Sequence, residues 1–189
     1  MLGKMKMSLE YAILGFLNYS PMSGYDLKRY FDESVAHFWP ATQSQIYRTL
    51  RSMEKKGWLQ MEVVEQEDRP DRKVYHITDA GREELQRWLR EPISLPPVRV
   101  AFLIKVFFGG GLQKEEILTQ LHHQLALHRE RLAAYRGPVR EVLQQNIETT
   151  GLEREGLLWG LTLDAGIKHE EAWIEWCERA IEEVEKLSE

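Results

Sequence analysis

The chain has little cysteine, no long apolar run and no excess of positive charge. Cys177 is the only cysteine among 189 residues, so no intrachain disulfide can form. No apolar run approaches the roughly 18 residues that a bilayer-spanning helix needs. Lys4 and Lys6 are not followed by the apolar segment of a secretory signal. These absences together predict a cytoplasmic protein without a membrane partner.

The net charge of −5 disfavours a nucleic-acid partner, but the charge is unevenly distributed. Residues 1–92 contain 14 Lys and Arg against 14 Asp and Glu, a balance of zero. Residues 93–189 contain 11 against 16, which accounts for the whole deficit. The first part of the chain can therefore present a basic face although the protein as a whole is acidic.

The sequence offers little that points to catalysis or to a bound metal. No Ser-His-Asp, Cys-His or paired-carboxylate arrangement stands out, so neither an enzyme nor a cofactor is expected. His122, His123 and His128 are not spaced at i, i+4 with another His or Cys, which disfavours a metal site. Gly109–Gly111 lacks phosphate-loop spacing and predicts a hinge. Cys177 lies among tryptophans and is interpreted as a buried residue rather than a redox sensor.

Residues 42–78 are the most informative part of the chain. Thr42 and Gln45 have the spacing of a capping box at the start of a helix. Gly57 is placed to supply the left-handed residue that ends it. The helix should bury a stripe at i, i+4 and i+7: Ile46, Leu50 and Met53. Strands are predicted at 59–66 and 73–77, with a turn at 67–72 between them.

Three further helices complete this first region. The first covers Ser8–Asn18, and the second runs from the N-cap Ser23 to about Ser34. The second helix should bury Tyr25, Leu27 or Tyr30, and Phe31, and the connector after it should place Phe38 and Trp39 in the core. A fourth helix begins at Thr78 and ends before Pro92, with Leu85, Trp88 and Leu89 as its core face.

A polar helix followed by a two-stranded ribbon is the layout of a winged helix-turn-helix. Because a helix about 10–12 Å across fits the roughly 12 Å major groove, double-stranded DNA is the leading candidate partner. An ordinary solvated face is the competing interpretation, and Gln45 is expected to serve the cap. The residues predicted to contact DNA lie on the third helix, in and beside the turn, and on the second helix: Gln43, Ser44, Gln45, Tyr47, Arg48, Arg51, Lys55, Arg69, Arg72, Lys73, Tyr25 and Lys28.

The rest of the chain is predicted to be helical. Ile93–Val98, flanked and interrupted by prolines, is the best boundary between a DNA-binding domain at 1–92 and an all-α domain at 93–189. Helices are expected at Val100–Phe108 and Leu152–Leu187, with a heptad seam from Leu118 to Val142 that Gly137-Pro138 kinks or breaks. The fold is thus mainly α with a small β-wing. The residues assigned to a dimer interface are Leu118, Leu121, Leu125, Leu132, Trp173, Trp176, Ile181 and Val184.

Several motifs, in this order and spacing, resemble the PadR family of bacterial transcriptional regulators. They are Ser23-Gly-Tyr-Asp-Leu27, Trp39, Ser44-Gln-Ile-Tyr47, the run from Leu50 to Gly57, Lys73-Val-Tyr75 and the run from Ile77 to Leu85. The run from Gly166 to Trp176 is similar to the branch with a long helical C-terminal domain. The resemblance implies a winged helix, a homodimer held by C-terminal helices, and repression that is often relieved by a small, frequently aromatic, effector.

Two questions stay open at the level of sequence. The candidates for an effector pocket are aromatic, although core and dimer packing is the competing interpretation for each of them: Phe107, Phe108, Trp159, Trp173 and Trp176. The alternative function is a protein-interaction adaptor that uses the winged helix as a docking surface.

Overall fold

A computed structural model describes residues 2–36, 38–65 and 71–187 of the chain, with side chains from position 9 onward. Contacts within the chain define two compact units, Met1–Ser94 and Leu95–Glu189. Each unit has its own apolar core. Among the residues searched, no helix combines the length and the apolar composition needed to cross a membrane.

The described residues of the first unit form four α-helices and a three-stranded antiparallel sheet in the order β1-β3-β2. Met22 pairs with Tyr75, and Leu59 pairs with Ile77. β1 has only two residues, too few for a periodic pattern, and it was not predicted. The elements in chain order are α1 (Leu2–Tyr19), β1 (Met22–Ser23), α2 (Gly24–Tyr30), α3 (Gln43–Lys55), β2 (Leu59–Val64), β3 (Arg72–Ile77) and α4 (Asp79–Arg90).

The predicted start, stop and buried face of α3 are confirmed. The Thr42 hydroxyl accepts from the Gln45 backbone at 3.3 Å, and the Gln45 side-chain oxygen accepts from the Thr42 backbone at 2.8 Å. Gly57 has φ +75° and ends the helix in the left-handed region. The predicted stripe is fully buried against α1 and α2: Ile46, Leu50 and Met53.

The predictions for α2 were partly wrong. Ser23 does cap the helix, and Leu27 and Phe31 are buried. Tyr25, however, is 66% exposed, and Tyr30 also lies on the surface. A helix this short buries one stripe, and Gly24, Leu27 and Phe31 occupy it at i, i+3 and i+7. A π-helical turn, Phe31–Val35, continues the chain.

Two other core predictions in this unit need correction. Phe38 is half exposed, whereas its neighbour Trp39 packs against the core as expected. In α4, Leu85 is buried and Trp88 packs against the core, but Leu89 is exposed. α4 packs against α1 along one narrow face, and Leu89 lies about 100° around the helix from Trp88.

Within its described residues, all regular secondary structure of the second unit is helical. Its elements are α5 (Ala101–Phe107), a 3₁₀ turn (Gly109–Gly111), α6 (Lys114–Arg136), α7 (Pro138–Thr150) and α8 (Glu153–Glu185). Gly137 separates α6 from α7, and Pro138 occupies the first turn of α7, so the predicted kink is a break between two helices. α6 packs along α8 over much of its length.

The apolar seam of α6 is buried within one chain. Leu121 and Leu125 pack against Cys177 and Ile181 of α8. Burial raises the pKa of the Cys177 thiol, as expected for a core residue. Leu121, Leu125 and Ile181, which the sequence assigned to a dimer surface, are thus buried by the packing of α6 against α8 within one chain. A second cluster, formed by Tyr135, Leu163 and Ile167, continues the core.

Candidate nucleic-acid interface

The side of α3 opposite the buried stripe is polar and bears a surface depression of about 430 Å³. Helical periodicity explains its composition, since positions 44, 47, 48 and 51 follow one another at intervals of three, one and three residues. The residues that line the depression all belong to this helix: Gln43, Ser44, Tyr47, Arg48 and Arg51. Five of the predicted contact residues thus share one continuous surface.

Three cations of α3 have no ion-pair partner in the described part of the chain. Arg48, Arg51 and Lys55 are exposed, and no carboxylate among the described residues forms an ion pair with them. The next lysine differs, because Lys56 Nζ lies 2.7 Å from the buried Glu10 carboxylate and 4.2 Å from the centre of the Trp58 ring. Positive charge is therefore available on one face of the helix and neutralised on the other.

Tyr47 connects α3 to the preceding helix. A Cβ built on Gly24 would lie 2.5 Å from Tyr47 Cε1, so only glycine allows this approach. Tyr75 of β3 is buried nearby, and burial, followed by the negative charge of Glu54, raises the pKa of its hydroxyl. The Tyr47 ring thus packs against Gly24 of α2 and also lines the depression.

The remaining predicted contact residues are placed differently from one another. Gln45 is exposed but binds Thr42 as the cap, as expected. Lys28 pairs with Asp32, and Arg72 pairs with Asp26, so their charges are compensated. Lys73 and Tyr25 are exposed. Arg69 lies outside the described residues.

Sequence reasoning missed Asp26 and Gly24 as contributors to this surface. In the sequence analysis both residues appear only as part of the motif Ser23-Gly-Tyr-Asp-Leu27. Its ion pair with Arg72 joins positions 46 residues apart. No local pattern reports such a pair, because it depends on β1 pairing with β3.

The five effector-pocket candidates are not brought together. Phe107 and Phe108 are 81% and 76% exposed and contact each other edge to face. Trp173 and Trp176 pack together, with ring centres 5.4 Å apart. Trp159 precedes Trp173 by 14 residues on the same helix, which separates them by about 21 Å at 1.5 Å per residue.

A buried polar cluster between α6 and α8 was also missed. The Glu170 side chain is 2% exposed and binds His128 Nδ1, while Arg131 Nη1 lies 3.5 Å away. The imidazole of His128 stacks on Trp173 with ring centres 5.1 Å apart. Glu170 sits in a His-Glu-Glu run that looks solvent-exposed in the sequence. Within the described ranges, His, Cys, Asp and Glu form no group of three suited to a metal ion.

Comparison with known proteins identifies the family. Residues 13–87 match the model of the "Transcriptional regulator PadR-like family", and residues 98–185 match "Virulence activator alpha C-term". The probable transcriptional regulator Rv1176c of Mycobacterium tuberculosis is 37% identical over 95% of this chain and 99% of its own length. The chain belongs to the PadR-like family of transcriptional regulators. This family consists of regulators and not enzymes, in agreement with the prediction.

Other PadR-like proteins extend the match to whole chains. The negative transcriptional regulator PadR of Bacillus subtilis is 30% identical over 94% of this chain and 98% of its own. Its structure in complex with operator DNA superposes with a TM-score of 0.80 at 28% identity, covering 94% of this chain and 99% of that one. Its complex with p-coumaric acid gives a TM-score of 0.77 at 28% identity, covering 96% and 98%. The predicted winged-helix fold with a helical second part is thereby confirmed.

Proposed function

We propose that this regulator is a homodimeric, cytoplasmic repressor that binds a palindromic site in double-stranded DNA. The polar face of α3 carries the proposal, because three cations without described ion pairs surround or adjoin a depression lined by amide, hydroxyl and guanidinium groups. Guanidinium groups bind phosphates or guanine edges, and amides bind adenine edges. The operator complex of the Bacillus PadR supports the same use of the fold.

Exposed apolar side chains in the second unit support dimerisation. Ile104, Phe107 and Phe108 at the end of α5, and Leu157 and Leu161 near the start of α8, are all more than half exposed. Apolar groups of this size are typical of protein interfaces when they cluster. Five residues of the original interface assignment also keep part of their surface free: Leu118, Leu132, Trp173, Trp176 and Val184. A dimer would present two copies of α3 to major grooves about 34 Å apart.

Release by a small aromatic effector is the regulatory part of the proposal. Support comes from the p-coumaric acid complex of the Bacillus PadR and from the aromatic side chains of this chain's second unit. Of the five residues predicted to line an effector pocket, Trp173 and Trp176 contact each other, and Phe102 contacts Trp176. An effector would weaken DNA binding by the difference between its affinities for the DNA-bound and free conformations. Repression is supported by the description of the Bacillus relative as a negative regulator.

Selection of duplexes from a random library, followed by fluorescence anisotropy with the recovered sequence, tests the proposal. A dimer that makes 6–10 phosphate contacts should lose about 10³–10⁵-fold in affinity between 50 and 200 mM salt. The R48A/R51A variant should bind far more weakly. Lys168, an exposed lysine of α8 paired with Glu171, supplies the control K168A, which should bind normally.

The outcomes separate this function from the alternative of a protein-interaction adaptor. An adaptor would recover no common sequence, and its weak duplex binding would respond equally to R48A/R51A and K168A. Sedimentation of the same samples tests the dimer, since a monomer at the concentrations that saturate DNA would contradict it. Adding p-coumaric acid to the bound complex tests release.

A further inference from the structure

An ion pair joins the wing, at the start of β3 next to the predicted turn, to the second helix. Arg72 Nη2 at the start of β3 contacts Asp26 Oδ2 in the first turn of α2. The two residues meet because β1, directly before α2, pairs with β3, and Ser23 lies opposite Val74. The Asp26 side chain is 17% exposed, whereas the Arg72 side chain is 47% exposed. The acid is therefore enclosed, while the cation keeps a face toward solvent.

The Asp26 carboxylate is held in place by several donors. The Ser23 backbone N–H and hydroxyl donate to Oδ2 at 3.0 and 2.6 Å, and Arg29 Nη2 lies 3.9 Å from Oδ1. Burial alone would raise the pKa of Asp26, but the hydrogen bonds from Ser23 and Arg72 hold it below the ordinary value. The carboxylate is thus an anion at neutral pH, and it binds the Arg72 guanidinium through one hydrogen bond and an ion pair.

The same short helix, α2, carries Asp26 and contacts a residue on the polar face of α3. Gly24, two residues before Asp26, packs against the ring of Tyr47, which lines the depression. Arg72 differs from Arg48 and Arg51 in its environment. Among the described residues, Arg72 has a carboxylate partner, whereas Arg48 and Arg51 have none. Its guanidinium has five N–H donors and uses one of them on Asp26, so others remain for a phosphate.

Free and compensated arginines act differently on DNA. An uncompensated arginine attracts any phosphate, so it strengthens binding to every sequence and increases the dependence on salt. An arginine whose charge is neutralised exerts little attraction at a distance. When its planar guanidinium is also held in place, it strengthens binding chiefly where a DNA phosphate meets it in the right geometry.

We propose that Asp26 is a specificity-determining residue, which cancels the general attraction of Arg72 for DNA and holds its guanidinium for the DNA sequence that fits. This inference rests on the proposed function as a DNA-binding regulator. Its consequence is that removing the negative charge of Asp26 strengthens binding to unrelated DNA and narrows the margin by which the operator is preferred.

The D26N variant of the full chain tests this idea. Asparagine keeps an oxygen that can accept from the Ser23 backbone, so the cap is conserved while the charge is lost. Binding would be measured by anisotropy with a 30-base-pair random duplex and with the duplex recovered by selection, between 50 and 200 mM salt. D26N should bind the random duplex more tightly, with a salt slope steeper by about 0.9 for the freed arginine. The ratio of D26N affinity to wild-type affinity for the random duplex should therefore fall about 3.5-fold between 50 and 200 mM salt.

Two further variants assign the effect. D26N/R72A removes both charges, so its binding to random duplex should return to the wild-type level while its binding to the selected duplex stays weaker. S23A removes the hydroxyl that holds Asp26 but neither charge, so it should lower the melting temperature without steepening the salt slope. If D26N/R72A kept the gain in random binding, Arg72 would not be the source and the proposal would fail.

The remaining outcomes are equally decisive. Wild-type affinity and slope for D26N on the random duplex would overturn the role of Asp26. If D26N does not fold, R72A alone decides the question. It should weaken binding to the selected duplex by a clearly larger factor than binding to the random duplex, and equal losses would contradict the proposal. A wild-type chain that binds neither duplex would instead refute the proposed function itself.

Discussion

Gly24 and Tyr47 approach so closely that a methyl group on Gly24 would overlap the tyrosine ring, with its Cβ 2.5 Å from Tyr47 Cε1. α2 and α3 therefore pack backbone to ring at one point. This contact positions the side chain that forms part of the polar face of α3.

The G24A variant should accordingly lose stability and DNA affinity together. Because the atoms in the way are the end of the partly exposed Tyr47 ring, which can move aside, the loss should be at most about 1 kcal/mol, and the displaced ring would disturb the depression. G15A is the matched control, because a Cβ on Gly15 of α1 meets nothing within 4 Å, and alanine there should stabilise the helix by about 0.5–1 kcal/mol. Urea unfolding and anisotropy measure the two effects. Equal stability of G24A and G15A would show that the contact is not tight in solution.

The cap of α3 should be measurable by a single substitution. T42A removes the hydroxyl that accepts from the Gln45 backbone and should cost about 1 kcal/mol. T42S keeps a hydroxyl in the same place and should retain most of the stability. Thermal unfolding of the three proteins compares them. A T42A variant as stable as T42S would mean that the cap contributes nothing.

Tyr11 should make the first unit sensitive to alkali. Burial, followed by its hydrogen bond to Glu84, raises the pKa of Tyr11 to about 12 from an ordinary value of 10.0. Because the pKa is raised in the folded state, its stabilising contribution is complete below pH 10 and is lost as the pH rises toward 12. The free energy of unfolding should therefore fall across this window. The free energy of unfolding of Y11F should fall less steeply with pH. Some decrease should remain, because the pKa of Tyr75 is also raised. Parallel curves for both proteins would argue against the prediction.

Removing the buried carboxylate of Glu170 should lower the free energy of unfolding. E170A would remove the carboxylate of α8 that His128 and Arg131 of α6 contact, and because the Arg131 side chain is 57% exposed and screened by solvent, the loss should be about 1–3 kcal/mol. E170Q keeps hydrogen-bonding atoms and should lose less. E171A is a matched control, since Glu171 is the next residue and pairs at the surface. Urea unfolding would contradict this expectation if E170A and E171A were equally stable.

Local signals predicted much of the first unit. Thr42, Gln45 and Gly57 mark the ends of α3 through contacts within a few residues, so their roles could be deduced directly. Phe38 and Leu89 were misplaced because apolarity alone does not show which side of an element meets a neighbour. Asp26 shows the same limit for charge: its capping role is local, but its partner Arg72 depends on strand pairing.

The second unit was harder to predict, for a different physical reason. A heptad seam indicates that a helix packs against another helix without saying which chain supplies it. Leu121 and Leu125 satisfy the pattern against α8 of the same chain. The aromatic candidates Trp159 and Trp173 share one helix, and only its length of 33 residues keeps them apart.

The segment between α4 and α5 has a practical consequence. Residues 92–100 lack regular secondary structure, and Leu95 is 95% exposed. A protease that cleaves after arginine should cut the exposed Arg99–Val100 bond, which, unlike Leu95–Pro96, has no proline after the cleavage site, before it cuts the packed helices on either side. Limited digestion would then yield two fragments, each retaining an apolar cluster of its own, and would give access to the DNA-reading part as a separate polypeptide.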